Sequence, residues 1–244
     1  MIIGERKPIP EILAMLGDSK KVLVLGCGTC VTVCLTGGDK EAKELASLLR
    51  IKGYEANSLT VERQCELEFI HPLRESIQSV DAVISLACGI GVQALFELDS
   101  EKSIYPGLNT TFMGMPVKQG YWEERCWGCG NCIIHLFGGT CPITRCAKSL
   151  LNGPCGGSKD GKCEVKPDRD CAWQLIYDRL KKLNRLDWLL TIQPPKDWST
   201  SRYGGHRKMT REDMLLCAGS NRCCKVVISP SLPKWVRPRD PILR

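Results

Sequence analysis

Histidine is almost missing from this chain: His71, His135 and His206 are the whole supply in 244 residues. Any metal chemistry here therefore has to be mostly thiolate chemistry. Aromatic residues make up only 6%, and no compact Lys/Arg run is interleaved with them, which argues against a nucleic-acid partner. No apolar run approaches the roughly 20 residues of a membrane span, so no membrane-spanning segment is expected. Met1 to Pro10 carries charges and prolines in place of an apolar core, so it does not read as a signal peptide. There is no Walker-type phosphate loop, and no Ser–His–Asp or paired-carboxylate arrangement stands out. GCGTCV at 26–31 starts like a dinucleotide fingerprint, but Val31 stands where the third glycine belongs. The net charge of +7 suits a mildly basic surface that can steer an acidic protein partner.

Cysteine is what the chain has in excess, with sixteen copies. A chain of this length does not need disulfides to fold. The compartment is therefore read as the reducing cytoplasm and the cysteines as thiolates.

The first 110 residues alternate strand and helix signals. KVLVLG at 21–26 is a short apolar run of the kind found in buried parallel strands. Residues 38–52 follow with Ala42, Leu45, Ala46, Leu48 and Leu49 on one helical face, stopped by Gly53. A weaker strand is expected at 54–61, a helix within 66–79, a strand at 80–87, a helix at 89–98 and a last strand near 102–105. The alternation predicts an α/β fold, a small Rossmann-like or flavodoxin-like parallel sheet over 1–110. The functional edge of such a sheet lies at the carboxyl ends of its strands.

Residues 111–170 are dense in Gly, Pro and Cys, with no persistent period. They form the cysteine-rich, iron–sulfur-stabilised, irregular and helical second domain, expected over 111–190, in which metal ligation supplies folding energy. Its closing helix is expected at 171–190, with Trp173, Ile176, Leu180, Leu183 and Leu186 on one stripe. A Pro-rich, basic tail at 191–244 carries Cys217, Cys223 and Cys224 and would wrap the domains or a partner.

CWGCGNC at 126–132 spaces Cys126, Cys129 and Cys132 by two residues each, and Cys141, Cys146, Cys155, Cys163 and Cys171 follow. Loops with the first spacing hold iron–sulfur clusters in ferredoxins, where a remote Cys-Pro completes a neighbouring cluster. Here Cys141 precedes Pro142. Eight thiolates suffice for two 4Fe–4S clusters. Zinc held by four thiolates, for example Cys146, Cys155, Cys163 and Cys171, is the rival reading. In the first domain, Cys27, Cys65 and Cys88 follow three strands and Cys30 begins a helix. These four are expected to meet at one sheet edge as a third cluster site, while Cys34, a turn after Cys30, either replaces Cys30 or simply packs. Trp127 would shield a cluster from water.

The string from Cys126 to Val165, with NGPCGG at 152–157 and DCAW at 170–173, resembles the methylenetetrahydrofolate reductase C-terminal-type family. In acetogen-type reductases of one-carbon metabolism, this part occurs as a separate iron–sulfur accessory subunit. GCGTC at 26–30, QC at 64–65 and SLACGIGVQ at 85–93 also fit that subunit, so the resemblance covers about residues 20–185. It implies two or three 4Fe–4S clusters, with zinc at one site as the alternative. It also implies a flavin-carrying TIM-barrel catalytic subunit as partner, and a further electron-donor protein. The chain has no room for a barrel of its own. It would not be catalytic alone but would relay electrons to or from the partner's flavin. The alternatives are a zinc-bearing docking subunit without redox work, and a corrinoid or methyl-transfer accessory protein, which lacks a His-centred motif.

Overall fold

The computed structural model describes residues 1–201. The expectations for Cys217, Cys223, Cys224 and the tail from 202 onward lie outside the described residues. The chain opens with β1 (Ile2–Arg6) and α1 (Ile9–Leu16), then β2 (Lys21–Cys27), α2 (Cys30–Val33), α3 (Asp39–Ile51) and β3 (Glu55–Val61). It continues with α4 (Leu67–Ile70), α5 (Arg74–Gln78), β4 (Ala82–Leu86), α6 (Gly89–Leu98) and β5 (Ser103–Pro106). Next come β6 (Leu108–Lys118), β7 (Tyr121–Glu124), α7 (Pro142–Arg145) and α8 (Ala172–Lys182).

The alternating segment folds as expected of an α/β chain. Four strands in the order β3-β2-β4-β5 form a sheet in which every pairing is parallel. Its central strand is buried on both faces, which is why KVLVLG is a continuous apolar run. Val22 and Val24 face α1 and α3, packing with Ile12, Leu16, Ala42, Ala46 and Leu49. Leu23 and Leu25 face the other way, onto Ile70, Ile77, Val92 and Leu95. The sheet is thus the middle of three layers. The chain leaves β2 to form β3 on one side and returns to form β4 on the other. The gap between β2 and β4 is therefore the topological switch point, where loops at the carboxyl ends diverge and leave room for a ligand.

A separate antiparallel sheet, β1-β6-β7, was not expected. β1 pairs with β6 from Ile2 against Met113 to Arg6 against Leu108. β6 thus begins before residue 110 and runs on into the cysteine-rich segment. Most of β6 is exposed, so it lacks the alternation that would mark it in the sequence.

Two expected helices differ in detail. The segment at 66–79 is broken into α4, a 3₁₀ turn at His71–Leu73 and α5. Pro72 in the turn lacks an N–H and cannot continue an α-helical ladder. The helix expected over 171–190 stops at Lys182, with Leu183 as C-cap. Asn184 takes a left-handed φ of 54°. The N–H of Arg185 bonds Leu180 O at 2.9 Å and that of Asn184 bonds Lys181 O at 3.1 Å, a Schellman ending. Leu183 is accordingly exposed, while Trp173, Ile176 and Leu180 are buried.

Within 111–170 the buried hydrophobic side chains are Phe137 and Ile143. Phe137 joins a small core supplied mainly by α8, through Trp173, Ile176 and Leu180, and meets Trp173 edge-on at 5.8 Å. Residues 191–201 lie across the cysteine-rich segment. Asn152 and Gln193 exchange two hydrogen bonds, at 2.7 and 2.9 Å, and Lys196 Nζ donates to Asn131 O. No helix of the described residues is long and apolar enough to cross a membrane.

Candidate metal centre

All thirteen cysteines among the described residues are free thiols. They fall into three neighbourhoods, each positioned by a different part of the fold.

The first is the carboxyl edge of the parallel sheet. Cys27 ends β2, Cys88 is the N-cap of α6 just after β4, Cys30 opens α2, and Cys65 lies in the loop after β3. Cys27 and Cys88 straddle the switch point. Desolvation pushes the Cys65 thiol above its ordinary value, followed by the charges of Cys88, Cys27 and Cys30. Cys65 is therefore near enough to the other three expected thiols to feel their charges. Thiolates in mutual repulsion are unfavourable unless a cation binds them, and metal coordination reverses that balance. The N-terminus of α6 adds a favourable partial positive charge at Cys88.

Cys34 is directed elsewhere. It is buried, and its Sγ lies 3.5 Å from Ile2 O on β1. Burial raises its pKa, with the Cys30 charge as a smaller cause.

Gln64, which the sequence reading did not single out, ties this edge together. Its side chain is fully buried. Nε2 donates to Leu25 O at 2.8 Å and Oε1 accepts from Ser85 Oγ at 2.6 Å. One amide thereby joins β2 to β4 and fixes the loop that carries Cys65. Gly37 completes the floor. Its carbonyl accepts from Cys27 N at 2.8 Å, and a Cβ there would lie 2.1 Å from Leu86 O, so only glycine lets the loop cross so close to β4.

The second neighbourhood is the loop of Cys126, Cys129 and Cys132; Cys141 follows later as the N-cap of α7. The N–H of Gly128 points to Cys126 Sγ at 3.4 Å, a backbone donor aimed at sulfur. Gly128 and Gly130 have φ of 63° and 80°, which curls the loop. Gly130 also lets the tail cross over: a Cβ would sit 2.2 Å from Thr200 O, and Thr200 Oγ1 donates to Cys129 O at 3.0 Å. Trp127 meets Trp198 edge-on at 6.3 Å, so two indoles flank this loop. His135 is exposed.

The third neighbourhood brings Cys146, Cys155, Cys163 and Cys171 around one small cavity, beside Trp173 and Val165. Cys171 is the N-cap of α8. Cys155 Sγ lies 3.3 Å from Glu164 Oε1, and Lys148 pairs with the same carboxylate. The Lys148 ammonium and then the Cys155 thiol hold the Glu164 carboxyl below its usual range.

Among the described residues, no group of three or more His, Cys, Asp or Glu side chains stands in metal-ligating geometry. The cysteine donors of these neighbourhoods are nonetheless all sulfur. Such a set fits iron–sulfur clusters or thiolate-bound zinc and does not fit hard, oxygen-seeking cations.

No curated protein and no solved structure matches this chain. Residues 105–199, which carry β6, β7, α8 and every cysteine from Cys126 to Cys171, match the family model described as the methylene-tetrahydrofolate reductase C terminal.

Proposed function

We propose that this chain is an iron–sulfur electron-transfer subunit of a methylenetetrahydrofolate reductase complex, serving the flavin of a partner TIM-barrel subunit. The observation that supports the reading is that the Cys65 thiol feels the charges of Cys88, Cys27 and Cys30, residues set at strand ends on the carboxyl edge of the parallel sheet. The family match over the eight downstream cysteines names the kind of complex. The first set would hold one cluster, and the eight cysteines from Cys126 to Cys171 two more. When bound, a cluster supplies one electron at a time, at a potential set by charge, hydrogen bonds to sulfur and solvent access.

The chain's own groups serve those three settings. Gly128 N–H points to a ligand sulfur, and the α6 and α8 N-termini favour negative charge at Cys88 and Cys171. Trp127 and Trp198 cover one side of the CxxCxxC loop, while Cys126 and Cys132 stay exposed. Val33, Leu35, Leu67 and Ile90 stand exposed within five residues of the first set's thiols in sequence, which suits contact with another protein rather than with water.

The test is anaerobic mixing of the chemically reduced chain with the oxidised flavin subunit. Bleaching of flavin absorbance matched by oxidation of the chain supports the reading. A flavin left oxidised beside a fully reduced chain, in a complex shown to have formed, overturns it.

A second reading rests on the third neighbourhood. Four thiols around one small cavity are the number for a closed tetrahedral zinc site. Zinc at Cys146, Cys155, Cys163 and Cys171 would make that part a structural docking element and leave redox work to the other cysteines.

A further inference from the structure

Residues 193–201 run across the CxxCxxC loop and are tied to it by side chains rather than by a backbone ladder. Pro194 and Pro195 lack an N–H, so the segment cannot extend a sheet through them. Gln193 is anchored instead by Asn152, which bonds both its N–H and its carbonyl. Further along, Lys196 Nζ donates to Asn131 O at 2.8 Å and Thr200 Oγ1 to Cys129 O at 3.0 Å. Asp197 Oδ1 accepts from Ser199 N at 2.9 Å, and Trp198 O accepts from Ser201 N at 2.9 Å, so the segment turns where it meets the loop. Gly130 lies between the two tethered carbonyls. Its φ of 80° and the 2.2 Å that would separate a Cβ from Thr200 O both demand glycine there. Trp198 meets Trp127 edge-on. Cys126 and Cys132 are exposed, whereas Cys129, whose carbonyl is tethered, is half-buried. Its Sγ lies 3.6 Å from Asn131 O, the carbonyl that also takes Lys196.

We infer that residues 193–201 are a releasable clasp, which holds the three-cysteine loop closed and covers Cys129. Apart from Ser201, which is buried, the side chains of the clasp are exposed or half-buried. It is therefore held by surface hydrogen bonds, each of modest net strength, and not by the apolar burial that fixes α8. Segments with that kind of support open locally while the core stays folded. Release frees the carbonyls of Cys129 and Asn131 and opens a path to the Cys129 thiol for a thiol-seeking metal ion or reagent. Cys126 and Cys132 need no such step, because they are exposed already. The inference stands on the chain's own contacts and does not need the proposed electron transfer.

The experiment uses the full chain, purified anaerobically, with chymotrypsin cleavage and hydroxyl-radical oxidation mapped by mass spectrometry. Asn152→Ala combined with Thr200→Val removes the bonds to Gln193 and to Cys129 O while keeping the shape of residue 200. Cleavage after Trp198 should become about tenfold faster, since it tracks the open population and the lost bonds set that population. Oxidation of Trp127 should rise about twofold as its cover leaves. Cleavage after Phe96 on α6 and Tyr177 on α8 should not change. Lys196→Met keeps the apolar stem and loses the bond to Asn131 O. It should move both readouts in the same direction, and it carries the test if the double variant does not fold. Unchanged cleavage after Trp198 overturns the inference. Faster cleavage there with no change at Trp127 also overturns it, because the segment would open without uncovering the loop. An equal rise after Phe96 and Tyr177 does the same, because the whole chain would then be unfolding.

Discussion

Replacing Gln64 with leucine tests whether one buried amide holds the cysteine-bearing sheet edge. The side chain has no exposed surface, and both ends of its amide are used, on Leu25 O and Ser85 Oγ. Leucine is similar in size but leaves two buried polar groups without partners, at about 1–3 kcal/mol each. Its extra apolar burial returns about 1.5–3 kcal/mol. The net expected loss is about 2 kcal/mol, in the range of a damaging core substitution. Urea unfolding of anaerobic protein, followed by far-UV circular dichroism, measures it. Ser85→Ala removes the other half of one bond, and the double variant should show coupling of about 1 kcal/mol between the sites. A Gln64→Leu protein as stable as the parent, or effects that simply add, would refute the bridging role.

Changing Cys27 or Cys88 to serine should remove about four iron atoms per chain while leaving the rest. Cys34→Ser should retain the full load, because its thiol faces Ile2 O on β1; equal loss in all three, by iron analysis, would contradict the placement. Asp81 accepts from the N–H groups of Lys20 and Lys21, at 2.8 Å each, and those bonds hold its carboxyl below the usual range. Its folded pKa is depressed, so its contribution to stability is present above the unfolded value of about 3.9 and fades as pH falls through the lower folded value. Asp81→Asn should flatten that acid-side decline in pH-dependent unfolding, and an unchanged slope counts against it. Chelator-treated protein should be cut by protease first between 111 and 170, where Phe137 and Ile143 are the buried hydrophobic side chains; cleavage starting within the parallel sheet would contradict a metal-dependent segment.

The sequence made the parallel sheet readable because its strands are buried on both faces. Val22 to Leu25 form an unbroken apolar run for that reason, and α3 carries its apolar stripe against them. β1 and β6 were not readable. Ile2–Arg6 is only five residues long, and its partner strand lies about a hundred residues away, so nothing local marks the pair. The placing of Cys27 and Cys88 at neighbouring strand ends was readable because strand ends in such sheets share an edge. Gln64 was not, since a polar residue next to a cysteine gives no hint in sequence that it is fully buried.

The central claim is that the thiols hold iron–sulfur clusters. Anaerobic purification of the full chain, with iron, acid-labile sulfide and zinc quantified on one sample, tests it most directly. Twelve candidate thiolates taken four at a time predict roughly eight to twelve iron atoms per chain, with matching sulfide, from two or three clusters. Two or more equivalents of zinc, without sulfide, would contradict the account.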